Sequence, residues 1–256
     1  MQFSGLASSY DKGTRIEPHR HVGHQIVHAR SGVMRVTTSD GSWVLPPGRA
    51  LWVPAGCTHE ILCRDAVEMR TVYLAPTPNA TPSGYARASA AVPLTLPGTL
   101  PENCVVWRLS ALMREVILRI ASEHDERLDE HLLALLLAEI KVMDALPLYL
   151  PEPADPKIKV ITSTLFSAPA DDRTLEDWAA ELNLSPRTLI RRFQAETGMT
   201  FRQWRRQARL LVALERLAAK EPVTSVAYDV GYDGLSAFIE AFREAFGVTP
   251  GQYFRD

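Results

Sequence analysis

The sequence predicts an α+β multidomain fold with an N-terminal antiparallel β-barrel, a helical dimerisation segment and a C-terminal all-α domain that contains two helix-turn-helix units. Short apolar segments separated by turn residues occupy the first third of the chain, and helical periodicity follows. The last third contains an internal repeat. We place the barrel at residues 1–100, the helical segment at 101–148, a proline-rich linker at 149–156 and the all-α domain at 157–256.

The barrel is predicted from evenly spaced strands between residue 16 and about residue 75. The segments 25–29, 32–38, 43–45 and 51–53 favour strands, and Ser39-Asp40-Gly41 and Pro46-Pro47-Gly48 indicate turns between them. Even spacing of short strands is typical of a small antiparallel barrel or sandwich. Residues 76–101 are rich in proline, and the sequence does not define their course.

Two helical patterns follow, over residues 110–122 and 129–145. In the second, apolar residues extend beyond one stripe, which requires burial either within its own domain or against a partner chain. We therefore expect a homodimer with contacts through Leu132, Leu136, Ile140 and Met143. Four prolines between residues 147 and 156 indicate a linker, because proline disrupts helices and central strands.

Residues 174–256 repeat themselves at an offset of 48 to 49 residues. Each copy begins with apolar residues at the spacing of a short amphipathic helix. These residues are Leu175, Trp178, Ala179 and Leu182 in the first copy and Val223, Val226, Ala227 and Val230 in the second. A tight turn follows, and it ends in Ser185 or Asp233 as the expected N-cap of a second helix. Each copy is thus predicted to form a helix-turn-helix.

The repeat continues beyond each second helix. Gly198 and Gly247 follow where a helix is expected to end in a left-handed residue, and Thr200 and Thr249 are suited to cap the next helix. Residues 201–219 predict one long helix that joins the two copies rigidly. Such a pair is suited to place two recognition helices in successive major grooves of DNA, about 34 Å apart.

Basic residues are concentrated in the first copy. The formal net charge of the 256-residue chain is −2, whereas residues 187–220 contain nine basic and two acidic side chains, a net charge of +7. A basic stretch of this kind indicates either a solvated helix face or a nucleic-acid surface. The repeated helix-turn-helix favours the nucleic-acid surface over a helical bundle that binds only protein.

The candidate DNA-binding residues form three groups. Those expected to reach base edges, where arginine can pair with guanine, are Arg187, Thr188 and Arg191. The further basic candidates, of which the last three are best placed for phosphates, are Arg192, Arg205, Arg206 and Arg209. The second recognition helix, which is expected to contribute less, offers Leu235, Ser236 and Glu240.

The second copy contains a long sequence signature. Gly231-Tyr232-Asp233, Ser236-Ala237-Phe238, Phe242-Arg243 and Phe246-Gly247-Val248-Thr249-Pro250 together resemble the C-terminal signature of the AraC family of transcription regulators. The resemblance covers about residues 157–256. It implies a monomeric two-unit domain that binds double-stranded DNA, a separate effector or dimerisation domain, and contact with RNA polymerase in an activator. Glu240 departs from the basic or neutral residue that is frequent in the family.

The N-terminal histidines resemble the two motifs of the cupin superfamily. Pro18-His19-Arg20-His21 with Gln25 and Gly32 matches the first motif in spacing, and Gly48, Pro54, Gly56 and His59 match the second. Because alternate residues of a strand share a face, His19 and His21 are expected side by side. The resemblance implies a divalent transition metal, such as zinc or nickel, on His19, His21, Gln25 and His59. Gln25 replaces the usual glutamate, and an effector pocket lined by histidines without metal is the alternative.

The cysteines and the apolar runs bear on cellular location. Cys57, Cys63 and Cys104 show no CxxC spacing and predict neither a disulfide framework nor a zinc knuckle. For Cys57, two residues before His59, packing is favoured over metal ligation or redox sensing. The N-terminus lacks a signal pattern, and the longest apolar run, 132–137, is too short to span a bilayer. A cytoplasmic location without a membrane partner is expected.

The favoured function is that of a sequence-specific DNA-binding transcription regulator, controlled by a small ligand or a metal ion in the barrel. A dedicated metal sensor is one variant of it. The alternative is a metal-dependent cupin enzyme with an accessory helical domain. The neutral Gln25 and the lack of a further acid or base motif argue against an enzyme.

Overall fold

The computed structural model describes residues 2–75, 100–122, 126–140 and 148–254. It confirms the predicted α+β fold, with β-strands mainly before residue 109 and helices mainly after residue 110. The chain divides into two compact units. The first comprises residues 1–38 and 45–148, and the second comprises residues 39–44 and 149–256.

The strands form two five-stranded sheets with antiparallel pairing. They are β1 (Gln2–Tyr10), β2 (Arg15–His19), β3 (His24–Ser31), β4 (Met34–Thr38), β5 (Gly41–Leu45), β6 (Arg49–Val53), β7 (His59–Cys63), β8 (Val67–Ala75), β9 (Val105–Arg108) and β10 (Tyr149–Pro151). The strand orders are β1-β8-β3-β6-β9 and β10-β5-β4-β7-β2.

The first strand was not predicted from the sequence pattern, which placed the first strand beyond residue 16. Residues 2–10 are rich in small and polar side chains, so the alternation that marks a half-buried strand is weak there. The strand forms because it pairs along its whole length with β8, which places Phe3 opposite Leu74. The formation of β1 therefore depends on its pairing with β8, which is distant in the sequence, and not on a local sequence pattern.

A short strand also forms within the segment predicted as a linker. Tyr149–Pro151 pairs with residues 41–43 of β5 and lies at the edge of its sheet. Proline is tolerated at a sheet edge, because one side of an edge strand needs no N–H donor. The proline-rich composition excluded a helix and a central strand but not this edge strand.

Helices α1 (Ala111–Ser122) and α2 (Glu126–Ile140) contribute to one buried apolar cluster with the first sheet. The strand members of the cluster include Ile26, Trp52, Val72 and Leu74, and the helix members include Met113, Ile117, Leu133 and Leu136. Full burial of one such aliphatic side chain stabilises a fold by about 2 kcal/mol. The wide apolar surface of α2 is therefore satisfied inside its own domain.

This packing corrects the expected interface on α2. Leu136 and Ile140 are 0% and 7% exposed within the core, so they are not available to a second chain. Leu132 is partly buried against the same cluster. Met143 lies outside the described residues. The sequence pattern could not separate the two cases, because a core and an interface require the same apolar residues.

The second unit is mainly helical. Its helices are α3 (Pro156–Ser167), α4 (Leu175–Glu181), α5 (Pro186–Thr197), α6 (Phe201–Ala218), α7 (Val223–Asp229), α8 (Leu235–Phe246) and α9 (Pro250–Tyr253). Helices α4 and α5 form the first predicted helix-turn-helix, α7 and α8 form the second, and α6 is the predicted connecting helix. In the part of the chain that the structure describes, no helix is both long and apolar enough to cross a bilayer.

Local capping signals in this unit act largely as predicted. Ser185 caps α5 by accepting from the Thr188 amide, and Thr200 begins α6. Gly198 ends α5 with a φ of 68°, a left-handed conformation that glycine adopts at little cost. The expected cap at Asp233 is wrong, because the N-cap of α8 is the next residue, which has no side chain to donate or accept.

Candidate DNA interface and histidine cluster

Helices α4 and α5 each bury an aromatic side chain. Trp178 of α4 and Phe193 of α5 are 0% and 1% exposed. The ring of Phe193 meets that of Trp204 of α6 edge to face, with centroids 6.3 Å apart. In the turn between α4 and α5, Asn183 has a φ of 51°, which asparagine tolerates better than most residues. This packing determines which side chains of α5 face outward.

The outward face of α5 presents two arginines and one aliphatic side chain. Arg187 and Arg191 are exposed, and within the described ranges no hydrogen bond or ion pair holds either of them. Ile190, three residues after Arg187, is 51% exposed. Arginine can pair with guanine, and an apolar side chain can contact the methyl group of thymine. The sequence prediction missed Ile190, although its place between the two arginines was a usable signal.

Two other predicted DNA-contact residues of α5 make structural contacts. The hydroxyls of Thr188 and Ser185 lie 2.8 Å apart, and the Thr188 amide donates to Ser185 Oγ at 3.2 Å. Arg192 forms an ion pair with Asp155, 3.2 Å between Nη1 and Oδ2, and Asp155 is the N-cap of α3. These contacts position α5, and a DNA contact by either residue stays a prediction.

The arginines at the start of α6 contact other parts of the same unit. Arg205 Nη1 donates to the carbonyl of Arg173 at 3.2 Å. Arg206 forms an ion pair with Glu244 of α8. For both residues, a phosphate contact would have to compete with these internal partners.

Arg209 is partly buried. Its Nε donates to the Pro169 carbonyl at 2.9 Å, and its guanidinium carbon lies 5.9 Å from the centre of the Tyr232 ring. Burial, and next the neighbouring Arg205 charge, lower the pKa of Arg209. Arg202 of the same helix, which the sequence prediction did not single out, is exposed.

The second recognition helix, α8, presents different chemistry on the same scaffold. Phe238 and Phe242 are both 0% exposed and anchor the helix. Ser236 and Glu240 are exposed, and Leu235 is half-buried. The basic residue of α8 comes only in its last turn. An outward face with a carboxylate in its first half and no basic residue there offers little attraction to DNA phosphates.

In the first unit, three histidines come together. His19 ends β2, His21 follows in the next loop, and His59 begins β7. The candidate ligand atoms of the three side chains lie within 4.8 Å of one another, and the ring centroids are 4.3 to 5.4 Å apart. The expectation that His19 and His21 share one face of a strand is wrong, because β2 ends at His19. The loop conformation, not strand alternation, places His21.

Backbone carbonyls orient two of the three rings. His19 Nδ1 lies 2.8 Å from the Glu17 carbonyl, and His59 Nδ1 lies 3.0 Å from the Cys57 carbonyl. A carbonyl only accepts, so each Nδ1 carries a proton, and Nε2 is the nitrogen of each ring that is left for a metal ion. Among the described residues, the buried Nε2 atoms of His21 and His59 have no hydrogen-bond partner. Metal-binding histidines are commonly held in this way.

Burial favours the neutral form of two of the three histidines, His21 and His59. Desolvation, followed by the charges of His19 and His59, lowers the pKa of His21 to about 4. Desolvation also lowers the pKa of His59 to about 4, although its hydrogen bond to Cys57 acts in the opposite direction. The neutral imidazole is the form that binds a metal ion. His21 and His59 are thus suited to accept a cation near neutral pH.

Gln25, the fourth expected ligand, is 1% exposed on β3. Its Nε2 donates to the Tyr73 hydroxyl at 3.4 Å, and the Tyr73 ring lies 4.8 Å from that of His21. Within the described residues, Gln25 Oε1 has no hydrogen-bond partner. Gln25 is therefore connected to the cluster through Tyr73, and its role as a ligand stays a prediction.

Both units match known protein families. Residues 178–256 match the helix-turn-helix domain, and residues 4–137 match the AraC-like ligand binding domain. The first match contains both recognition helices, and the second contains the histidine cluster. Together they define a DNA-binding regulator with an N-terminal ligand-binding domain.

Individual relatives are transcription regulators. The chain is 31% identical over 239 residues to the HTH-type transcriptional regulator NimR of Escherichia coli K12. The aligned region covers 92% of this chain and 81% of NimR. It is 38% identical over 103 residues to RipA of Corynebacterium glutamicum, and this aligned region covers 40% of this chain and 31% of RipA. The chain belongs to the AraC family of transcription regulators.

Two solved structures are also similar. The C-terminal domain of AraT, a response regulator from Geobacillus stearothermophilus, is 34% identical, covers 40% of this chain and 85% of that domain, and has a TM-score of 0.37. ToxT from Vibrio cholerae is 9% identical, covers 99% of this chain and 98% of ToxT, and has a TM-score of 0.37.

Proposed function

We propose that this AraC-family regulator reads its DNA site mainly with α5, and that a divalent transition metal on the histidine cluster controls its activity. The unequal outward faces of the two recognition helices support the first part most directly. Arg187 and Arg191 project from α5, whereas Glu240 occupies the outward face of α8.

The position of the two arginines on α5 suits base recognition. They lie four residues apart and therefore on one side of the helix, near its N-terminal end. Recognition helices contact base edges with residues near their N-terminal ends. Because neither guanidinium has a carboxylate partner among the described residues, pairing with guanine breaks no internal ion pair. Ile190 adds an apolar surface next to them.

The histidine cluster suits a borderline divalent metal such as zinc or nickel. Three neutral imidazoles are a frequent ligand set for these ions. With metal–nitrogen bonds of about 2.1 Å, two nitrogens on one ion are at most about 4.2 Å apart. Ligand atoms within 4.8 Å therefore need only small rotations of the side chains. A bound ion would add positive charge and hold β2, the following loop and β7 together. A small organic ligand contacted by the same histidines is the alternative effector.

A three-histidine site is also the observation that favours a second function, a metal-dependent cupin enzyme, because catalytic zinc sites use such ligands with one open position. We infer a regulator and not an enzyme, since the relatives are named regulators. Turnover of a substrate by the metal-loaded full chain that is lost in His59→Ala would establish the enzyme instead.

Three further features belong to this proposal. They are a homodimer, contact with RNA polymerase if the protein is an activator, and action in the cytoplasm. The core packing of α2 removes Leu136 and Ile140 as the dimer interface. Sedimentation velocity of the full chain over a range of concentrations tests the dimer, and a monomer throughout would contradict it.

The DNA-binding proposal is tested by selecting binding sites from random duplexes and then measuring affinity over a salt series. Specific sites should bind at least a thousandfold more tightly than random DNA. Arg187→Ala and Arg191→Ala should reduce this ratio. Arg15→Ala removes an exposed arginine from the other unit and serves as the matched control. Equal affinity for selected and random DNA would refute the proposal.

The metal proposal is tested by elemental analysis and zinc titration of protein purified without chelators. One equivalent of metal per chain is expected, and His59→Ala should lose it. His131→Ala removes an exposed histidine of α2 and should retain the metal. Wild-type protein that binds no metal would leave an organic effector as the explanation.

A further inference from the structure

Two cysteines of the first unit lie side by side although 47 positions separate them in the sequence. The Sγ atoms of Cys57 and Cys104 are 3.9 Å apart, and both side chains are half-buried. Cys57 lies in the turn between β6 and β7, and Cys104 immediately precedes β9. Strand β9 pairs with β6, with Val105 opposite Trp52. The sheet itself therefore holds the two thiols in contact.

We propose that Cys57 and Cys104 form a reversible intramolecular disulfide, which makes them an oxidation site distinct from the histidine cluster. Sulfur atoms in contact need only side-chain rotation and small backbone adjustments to reach the S–S bond length of about 2.05 Å. Partial exposure gives a small oxidant access to the pair. Neither sulfur belongs to the group of ligand atoms that the three histidines form.

Exchange with a low-molecular-weight disulfide supplies the oxidising equivalents. The thiolate of one cysteine attacks the small disulfide, forms a mixed disulfide and releases one small thiolate. The thiolate of the other cysteine then attacks the protein sulfur of the mixed disulfide and releases the second. The two protein thiols are oxidised, the small disulfide is reduced to two thiols, and the two protons move to the released thiolates. Excess small thiol reverses both steps.

The proposed bond would act on the turn that carries part of the histidine cluster. The Cys57 carbonyl accepts from His59 Nδ1 at 3.0 Å, and the Gly56 amide donates to the His21 carbonyl at 2.8 Å. A covalent link at Cys57 thus ties the backbone that orients His59 to the start of β9. Only this consequence for the cluster rests on the proposed metal function; the disulfide itself does not.

The third cysteine provides an internal control. Cys63 is 1% exposed on β7, and burial raises the pKa of its thiol. The thiolate is the attacking species, so Cys63 should react slowly.

The test treats the metal-free full chain with oxidised glutathione and maps its disulfides without reduction. Digestion with trypsin and Glu-C separates Cys57 from Cys63, because Glu60 lies between them. A peptide that joins Cys57 to Cys104 is expected, with the loss of two titratable thiols per chain and full recovery after dithiothreitol. Cys57→Ser and Cys104→Ser should each abolish the linked peptide, whereas Cys63→Ala should retain it.

Several outcomes would overturn the disulfide. The first is a mixed disulfide of glutathione with Cys57 or Cys104 and no bond between the two cysteines. The second is a disulfide that includes Cys63, and the third is a disulfide between two chains. Zinc titration of the reduced protein is a separate measurement. A disulfide without zinc binding would refute only the metal proposal, and zinc binding without a disulfide would refute only the present one.

Discussion

The two helix-turn-helix units have the same scaffold and different outward faces. In both second helices a phenylalanine is fully buried at the equivalent position, Phe193 or Phe242, and a left-handed glycine ends the helix. Arg191 faces outward on α5, whereas Glu240 does so on α8. The buried positions thus determine that each copy folds, and the exposed positions determine what each copy can bind.

The largest expected effect tests whether the scaffolds are equivalent. Phe193→Ala and Phe242→Ala should each lower the free energy of unfolding by about 3–5 kcal/mol, because each leaves a cavity in a packed core. Urea unfolding followed by helical circular dichroism measures this. Ile190→Ala, at an exposed position of α5, is the control and should change it by less than about 0.5 kcal/mol. A large effect in only one copy would show that the scaffolds are not equivalent.

The next effect concerns the base contact that distinguishes the helices. Arg191→Ala should weaken binding to the selected site by about 5- to 150-fold, because a bidentate arginine–guanine pair contributes about 1–3 kcal/mol. Binding to random DNA should change much less. Competition gel shifts with both DNAs measure the difference, and equal losses on both would mean that Arg191 contacts only the backbone.

Phosphate contacts can be distinguished from base contacts by how strongly binding depends on salt concentration. Arg202→Ala should reduce the slope of log affinity against log salt by about 1, as expected for one lost phosphate contact. Arg206→Ala should change the slope less, because Arg206 is paired with Glu244. If Arg206→Ala has the larger effect, the ion pair opens on DNA and the phosphate role predicted from the sequence holds.

A smaller effect should come from the apolar residue on α5. Replacement of thymine by uracil at the position that Ile190 contacts removes one methyl group and should weaken binding about fourfold, from about 0.8 kcal/mol per buried carbon. In Ile190→Ala the same replacement should have little effect. A double-mutant cycle measures this coupling, and additive effects at every thymine would exclude the contact.

The smallest effect is expected on α8. Glu240→Ala removes a negative charge from its outward face and should change affinity for the selected site by no more than about twofold, in the direction of tighter binding. The same gel shift measures it. A marked loss of affinity would show that Glu240 makes a specific contact and that the two helices contribute more equally.

The histidine cluster shows what motif spacing in the sequence can predict about a site and what it cannot. Motif spacing singled out His19, His21 and His59, and the structure brings them together. The expected reason for their proximity was partly wrong, because His21 lies beyond the end of β2. The contact between Cys57 and Cys104 had no sequence signal, since it depends on the pairing of β6 with β9 across 47 positions.

Local chemistry was sufficient for the DNA-binding half. Helical periodicity, Ser185, Thr200 and the glycines after α5 and α8 specify helices and their ends through interactions within a few residues, so the sequence by itself determined the two helix-turn-helix units. Only the tertiary structure decided that Arg206 is paired with Glu244 and that the apolar surface of α2 is core. Those outcomes depend on contacts between residues far apart in the chain, which no local pattern records.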